Sequence, residues 1–96
     1  MKINKNITEE KLKKYFKVSE EAFEIIRENI ISGKEDEAKE IIEMVSNYLS
    51  DAKHFEEKGD WVNSFAALNY LHGWMDSGVR LGIFEVGDND ELFTVK

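Results

Sequence analysis

Residues 35–60 read EDEAKEIIEMVSNYLSDAKHFEEKGD, and residues 61–82 continue WVNSFAALNYLHGWMDSGVRLG. In the first stretch Ala38, Ile41, Ile42, Val45, Tyr48, Leu49, Ala52 and Phe55 fall on one face of a 3.6-residue period. Glu37, Lys39, Glu40, Glu43, Asn47, Lys53 and Glu57 occupy the opposite face. The pattern predicts an amphipathic helix from about Glu35 to Lys58. Gly59 is suited to ending it, and the side chain of Asp60 to capping the next one. So short a joint sets two helices side by side and antiparallel.

The helix that follows, from Trp61 to about Leu81, differs in character. Val62, Phe65, Ala66, Ala67, Leu68, Tyr70, Leu71, Trp74, Met75 and Val79 surround most of it. A helix apolar on most sides is expected at the buried centre of a bundle, or with one face against a partner. Upstream, Thr8 is placed to cap a first helix, with Ile7 and Leu12 as a hydrophobic staple and Glu9 and Glu10 at the positive end of its dipole. Val18-Ser19-Glu20-Glu21-Ala22-Phe23 repeats the staple-and-cap pattern, so this region reads as one long helix or as two with a joint near Ser19. Ala22, Phe23, Ile26 and Ile30 continue its stripe, and Ser32-Gly33-Lys34 reads as the turn. From Gly82 the helical period is lost. Gly87-Asp88-Asn89-Asp90 reads as a loop, and Ile83, Phe84, Leu92, Phe93 and Val95 are expected to fold back over the helices. The expected fold is all-α: a single-domain antiparallel bundle over residues 1–96, of three helices, or four if Ser19 is a break, with a short irregular C-terminal tail.

Composition narrows the chemistry. The 96 residues hold no cysteine and no proline. Disulfides, thiolate metal sites and cysteine nucleophiles are thereby excluded, and no helix interior is broken by a missing N–H. Met1 to Asn6 is polar and lacks the apolar core of a secretory signal. No apolar run approaches the ~20 residues that span a bilayer. A cytoplasmic protein with no membrane association is expected. The net charge of −7 disfavours binding to a phosphate backbone. Lys11, Lys13, Lys14 and Lys17 lie among Glu9, Glu10, Glu20 and Glu21, as on a solvated helix face.

Two His–carboxylate pairs have helical spacing, Asp51 with His54 and His72 with Asp76. A shared metal site in a bundle needs its ligands to converge from facing helices. His54 lies 5 residues before Gly59 and His72 lies 13 after it. At ~1.5 Å per residue this leaves them roughly 12 Å out of step along the axis. No metal and no cofactor is expected. Asp76 and Arg80 are spaced for an intrahelical ion pair, or Arg80 is poised for an anionic ligand. Trp74 is expected in the core. No serine sits in a strained turn that would mark a nucleophile, and the glycines form no phosphate-binding loop. Gly78 and Gly82 read as places of close helix approach.

The stretch Asp51-Ala52-Lys53-His54-Phe55-Glu56-Glu57-Lys58-Gly59-Asp60, with Ala66-Ala67-Leu68-Asn69-Tyr70 and Gly73-Trp74-Met75-Asp76-Ser77-Gly78-Val79-Arg80-Leu81-Gly82, resembles an archaeal family called domain of unknown function 357. Ile7-Thr8-Glu9-Glu10-Lys11-Leu12 and Leu92-Phe93-Thr94-Val95 resemble it too. Met75 and Ser77 stand where Leu and Ala would be expected. The resemblance implies a small helical bundle and carries no activity. The positions matching the family's polar signature are His54, Asp60, Trp74, Asp76 and Arg80. Lys58-Gly59-Asp60-Trp61-Val62-Asn63-Ser64-Phe65 also resembles the hairpin joint of tetratricopeptide-type modules, which bind peptides through stacked repeats. The functional expectation is an interaction protein that forms a homodimer or docks on a protein partner. The alternative is a small-molecule-binding protein or enzyme with His72, Trp74, Asp76 and Arg80 near one pocket. Candidate binding residues are thus His54, His72, Trp74, Asp76 and Arg80, and no catalytic residue is assigned.

Overall fold

The computed structural model describes residues 7–89 and 91–93. Asp90, Thr94, Val95, Lys96 and the opening Met1–Asn6 lie outside the described residues. Within them are three helices and no strand: α1 (Glu9–Glu28), α2 (Glu35–Glu57) and α3 (Trp61–Arg80). The Thr8 hydroxyl caps α1, accepting from the Lys11 N–H at 3.1 Å. The helix then runs unbroken through Ser19, which is itself buried in the row Leu12, Phe16, Ser19, Ala22, Phe23, Ile26. Three helices, not four, is therefore the count among the described residues.

The end of α1 departs from the sequence expectation. The helix stops at Glu28, and the Asn29 side-chain amide donates to the Ile25 carbonyl at 2.7 Å, satisfying one of the orphan acceptors there. Ile30 is not part of the helical stripe. Two consecutive β-branched residues, Ile30 and Ile31, favour extended backbone, and Ile30 pairs with Phe84 in an isolated antiparallel bridge. The turn into α2 closes with Lys34 N–H on the Ile31 carbonyl at 3.0 Å. Gly33 takes φ +92° there, a conformation that an L side chain resists.

The α2–α3 joint forms as its residues dictate. Gly59 has φ +77°. The Gly59 N–H bonds to the Glu56 carbonyl and the Asp60 N–H to the Phe55 carbonyl, both at 2.9 Å, the paired closure of a Schellman end. Asp60 then caps α3, accepting from the Asn63 N–H at 3.2 Å and the Asn63 amide at 2.7 Å. One residue thus serves two helix ends. Farther along, the fully buried Ser64 hydroxyl donates to the Ala52 carbonyl at 2.7 Å, tying the two helices together inside the core.

Both α1 and α2 pack on α3, while α1 touches α2 only sparingly. The core joins Leu12, Phe16, Phe23 and Ile26 of α1, Ile41, Val45 and Leu49 of α2, and Leu68, Leu71 and Met75 of α3. The C-terminal segment completes it with Ile83, Phe84, Val86 and Phe93. Gly82 turns the chain at φ +77°, and the backbone then pairs with the α1–α2 connection, Ile31 N–H to Ile83 O and Glu85 N–H to Asn29 O, each at 2.9 Å. This seats the Phe84 ring against Gly78. A Cβ at Gly78 would lie 2.5 Å from that ring and 3.0 Å from Ile41. No described helix is long and apolar enough to cross a membrane.

Candidate functional site

The covering of α3 by α1, α2 and the C-terminal segment is incomplete. Its buried residues are Ser64, Ala67, Leu68, Leu71, Met75 and Gly78. On the far side Val62, Ala66, Asn69, Tyr70, Gly73, Trp74 and Ser77 are exposed, and Leu81 extends the row. Val62 is 63% exposed, Tyr70 50%, Trp74 36% and Leu81 73%. One expectation is corrected here: Trp74 is not core. Of the two readings of α3, all-round burial does not hold, and one face is left open. The physical reason is that two helices and a short segment supply covering for only part of a helix circumference, and position 74 falls on the open part.

The open face has an internal order. Tyr48 of α2 and Tyr70 meet with ring centroids 4.6 Å apart, and Tyr70 and Trp74 lie edge-on at 6.4 Å. Asn69, Tyr70, Gly73, Trp74 and Ser77 line an open depression. Gly73 makes it, since nothing lies within 4 Å of where its Cβ would be. From Val62 to Ser77 the face is also free of formal charge, and the exposed Arg80 follows at its C-terminal end. Between Trp61 and Val79 the chain has no Lys, Arg or Glu, and its one carboxylate, Asp76, is half-buried beside His72. On α1 and α2 the solvent-facing positions instead carry ion pairs, Lys13 with Glu9, Arg27 with Glu24 and Lys53 with Glu20. Even the gap between those two helices is lined by Lys13, Lys17, Glu20, Lys53 and Glu56 around Phe16.

The sequence-derived candidates divide among four places. His72 and Asp76 are together, imidazole Nε2 to carboxylate at 3.8 Å, and the His72 ring stacks on Phe93 at 6.3 Å. His72 also borders a cleft of about 270 Å³ with Lys14, Tyr15, Ser19, Asn69 and Glu91. Trp74 belongs to the open depression instead. Arg80 closes α3 in its last turn. His54 is exposed near the α2–α3 joint, its ring 6.4 Å from that of Phe55. The two histidines have no neighbour in common among these contacts. No group of three His, Asp or Glu among the described residues is placed to hold a metal ion.

The residues that sequence reasoning passed over are Tyr48, Tyr70 and Gly73. In the sequence Tyr48 and Tyr70 belong to apolar patterns and Gly73 is an isolated glycine. The available signal was the absence of charge at positions 62, 66, 69, 70, 73, 74 and 77, one continuous helical stripe in a chain that is 34% charged.

The described residues thus form a three-helix protein with a covered core and one largely uncharged, partly aromatic helix face. The chain belongs to the family described as Protein of unknown function (DUF357), whose model matches residues 14–84. No curated protein and no solved structure matches it. The matched span contains all of α2 and α3, the joint between them, and Phe84.

Proposed function

We propose that this chain is a cytoplasmic protein-interaction module, a single antiparallel three-helix bundle that docks through the open face of α3. An up-down-up arrangement is supported at both ends of the molecule. Tyr15 of α1 meets Phe65 of α3 at 4.7 Å, edge to face, and Ile30 after α1 pairs with Phe84 after α3. These contacts support a common direction for α1 and α3, with α2 running the opposite way in the chain between them.

The observation that carries the docking role is the uncharged, partly aromatic stripe from Val62 to Ser77. Scattered apolar residues are ordinary on a protein surface. A continuous stripe on one helix, with every other helix face charged, marks an interaction site. Tyr and Trp are also the residues that carry binding energy at interfaces, because they bury large rigid surfaces and keep a polar handle.

The test is a photo-reactive benzophenone amino acid placed at Trp74, with a control at Lys39 on the charged face of α2. Irradiation in living cells should trap protein adducts from position 74 and few from position 39. Equal yields at the two positions would overturn the reading.

A further inference from the structure

We propose that the occupant of the α3 face is a second copy of this chain, paired antiparallel about a two-fold axis beside the Leu71–His72 peptide. The inference rests on the docking reading above and specifies its partner.

An isologous interface must be complementary to itself, because each residue meets the symmetry-related part of the same patch. The α3 stripe meets this condition. A two-fold axis at its middle sets Val62 opposite Leu81 of the second copy, apolar on apolar. Ala66 falls opposite Ser77, small on small, and Tyr70 falls opposite Gly73, a ring over the depression where no Cβ stands. Asn69 falls level with Trp74, one at each edge of the shared face. Small residues at Ala66, Gly73 and Ser77 allow two helices to approach at the closer end of the usual ~8–10 Å range.

Charge narrows the choice further. Each copy has a net charge of −7, so two copies repel through most of their surfaces. The α3 stripe is the described helix face on which like charges would not be opposed. The charged residues that bound it differ in sign, Asp60 before the helix and Arg80 at its end. Antiparallel pairing brings Arg80 toward the Asp60 end of the other copy. Parallel pairing would bring Arg80 toward Arg80.

Light scattering on the full chain across a dilution series should return twice the chain mass at high concentration, falling to the monomer. Gly73→Glu is the discriminating variant. No atom lies near its Cβ and Glu is a better helix former than Gly, so the fold is kept and circular dichroism should not change. An unpaired charge buried at the centre of the interface should weaken dimerisation about 100-fold or more. A spin label at Lys58→Cys, off the contact face, reads orientation. Antiparallel pairing puts the two labels roughly 35 Å apart or more, and parallel pairing puts them within about 20 Å. A wild-type chain monomeric throughout the series overturns the inference, as does a dimer indifferent to Gly73→Glu or a short label distance. If the chain is monomeric but position 74 traps a different protein, the docking reading stands and self-association falls. An adduct of twice the chain mass supports both.

Discussion

Two glycines in the same helix face opposite environments. Gly73 has open space where its Cβ would be, whereas a Cβ at Gly78 would meet the Phe84 ring and Ile41. In a helix interior, alanine is favoured over glycine by about 0.5–1 kcal/mol. Gly73→Ala should therefore stabilise the chain by about that amount, read by urea unfolding at a concentration where it is monomeric. Gly78→Ala should destabilise it by about 1–3 kcal/mol, because the overpacking outweighs the propensity. Equal effects at the two sites would mean that Phe84 does not sit where it is placed. The sequence marked Gly78 as a site of close approach but could not name the approaching group, since Phe84 comes from a segment without periodicity. Trp74 was misjudged for a related reason. An apolar stripe says that a side chain would gain from burial, and not whether enough chain exists to bury it.

Among the elements, the α2–α3 joint was the most legible, because Gly59 and Asp60 each answer a local backbone need that no distant contact overrides. Asp60→Ala removes the acceptor for the Asn63 N–H and for its side-chain amide. It should cost about 1 kcal/mol, seen as a lower urea midpoint with an unchanged slope. No change would mean that solvent satisfies the first turn of α3 equally well. The α1 end was less legible. Val18-Ser19-Glu20-Glu21 has the letters of a helix start, yet Ser19 continues the helix because it falls on the buried row between Phe16 and Ala22. Burial of neighbours decided there against a local signal. Ile30 shows the converse. Its spacing fits the helical stripe, but its backbone is used to pair with Phe84, a partner 54 positions later that no local window contains.

At the scale of the whole molecule, the C-terminal segment acts as part of the core. Phe84 is only 2% exposed, and its neighbours Ile83 and Glu85 hydrogen-bond to the α1–α2 connection. Phe84→Ala should cost about 3–5 kcal/mol, a large part of the total stability of a domain this size, typically about 5–15 kcal/mol. Calorimetry would register it as a lowered Tm, and a variant as stable as wild type would show the segment to be an ornament. The expectation that Ile83, Phe84, Leu92 and Phe93 fold back was legible from their composition. Their consequence for the candidate site was not: Phe93 stacks on His72, so the surroundings of that histidine are set from outside its own helix.

The bridge between Ile30 and Phe84 also bears on where the chain can be cut. All three helices precede Phe84 in the chain, so the contact at Gly78 needs residues beyond α3. A chain cut after α3 should therefore keep its helices' sequence yet leave Gly78 and Ile41 without the ring that packs on them.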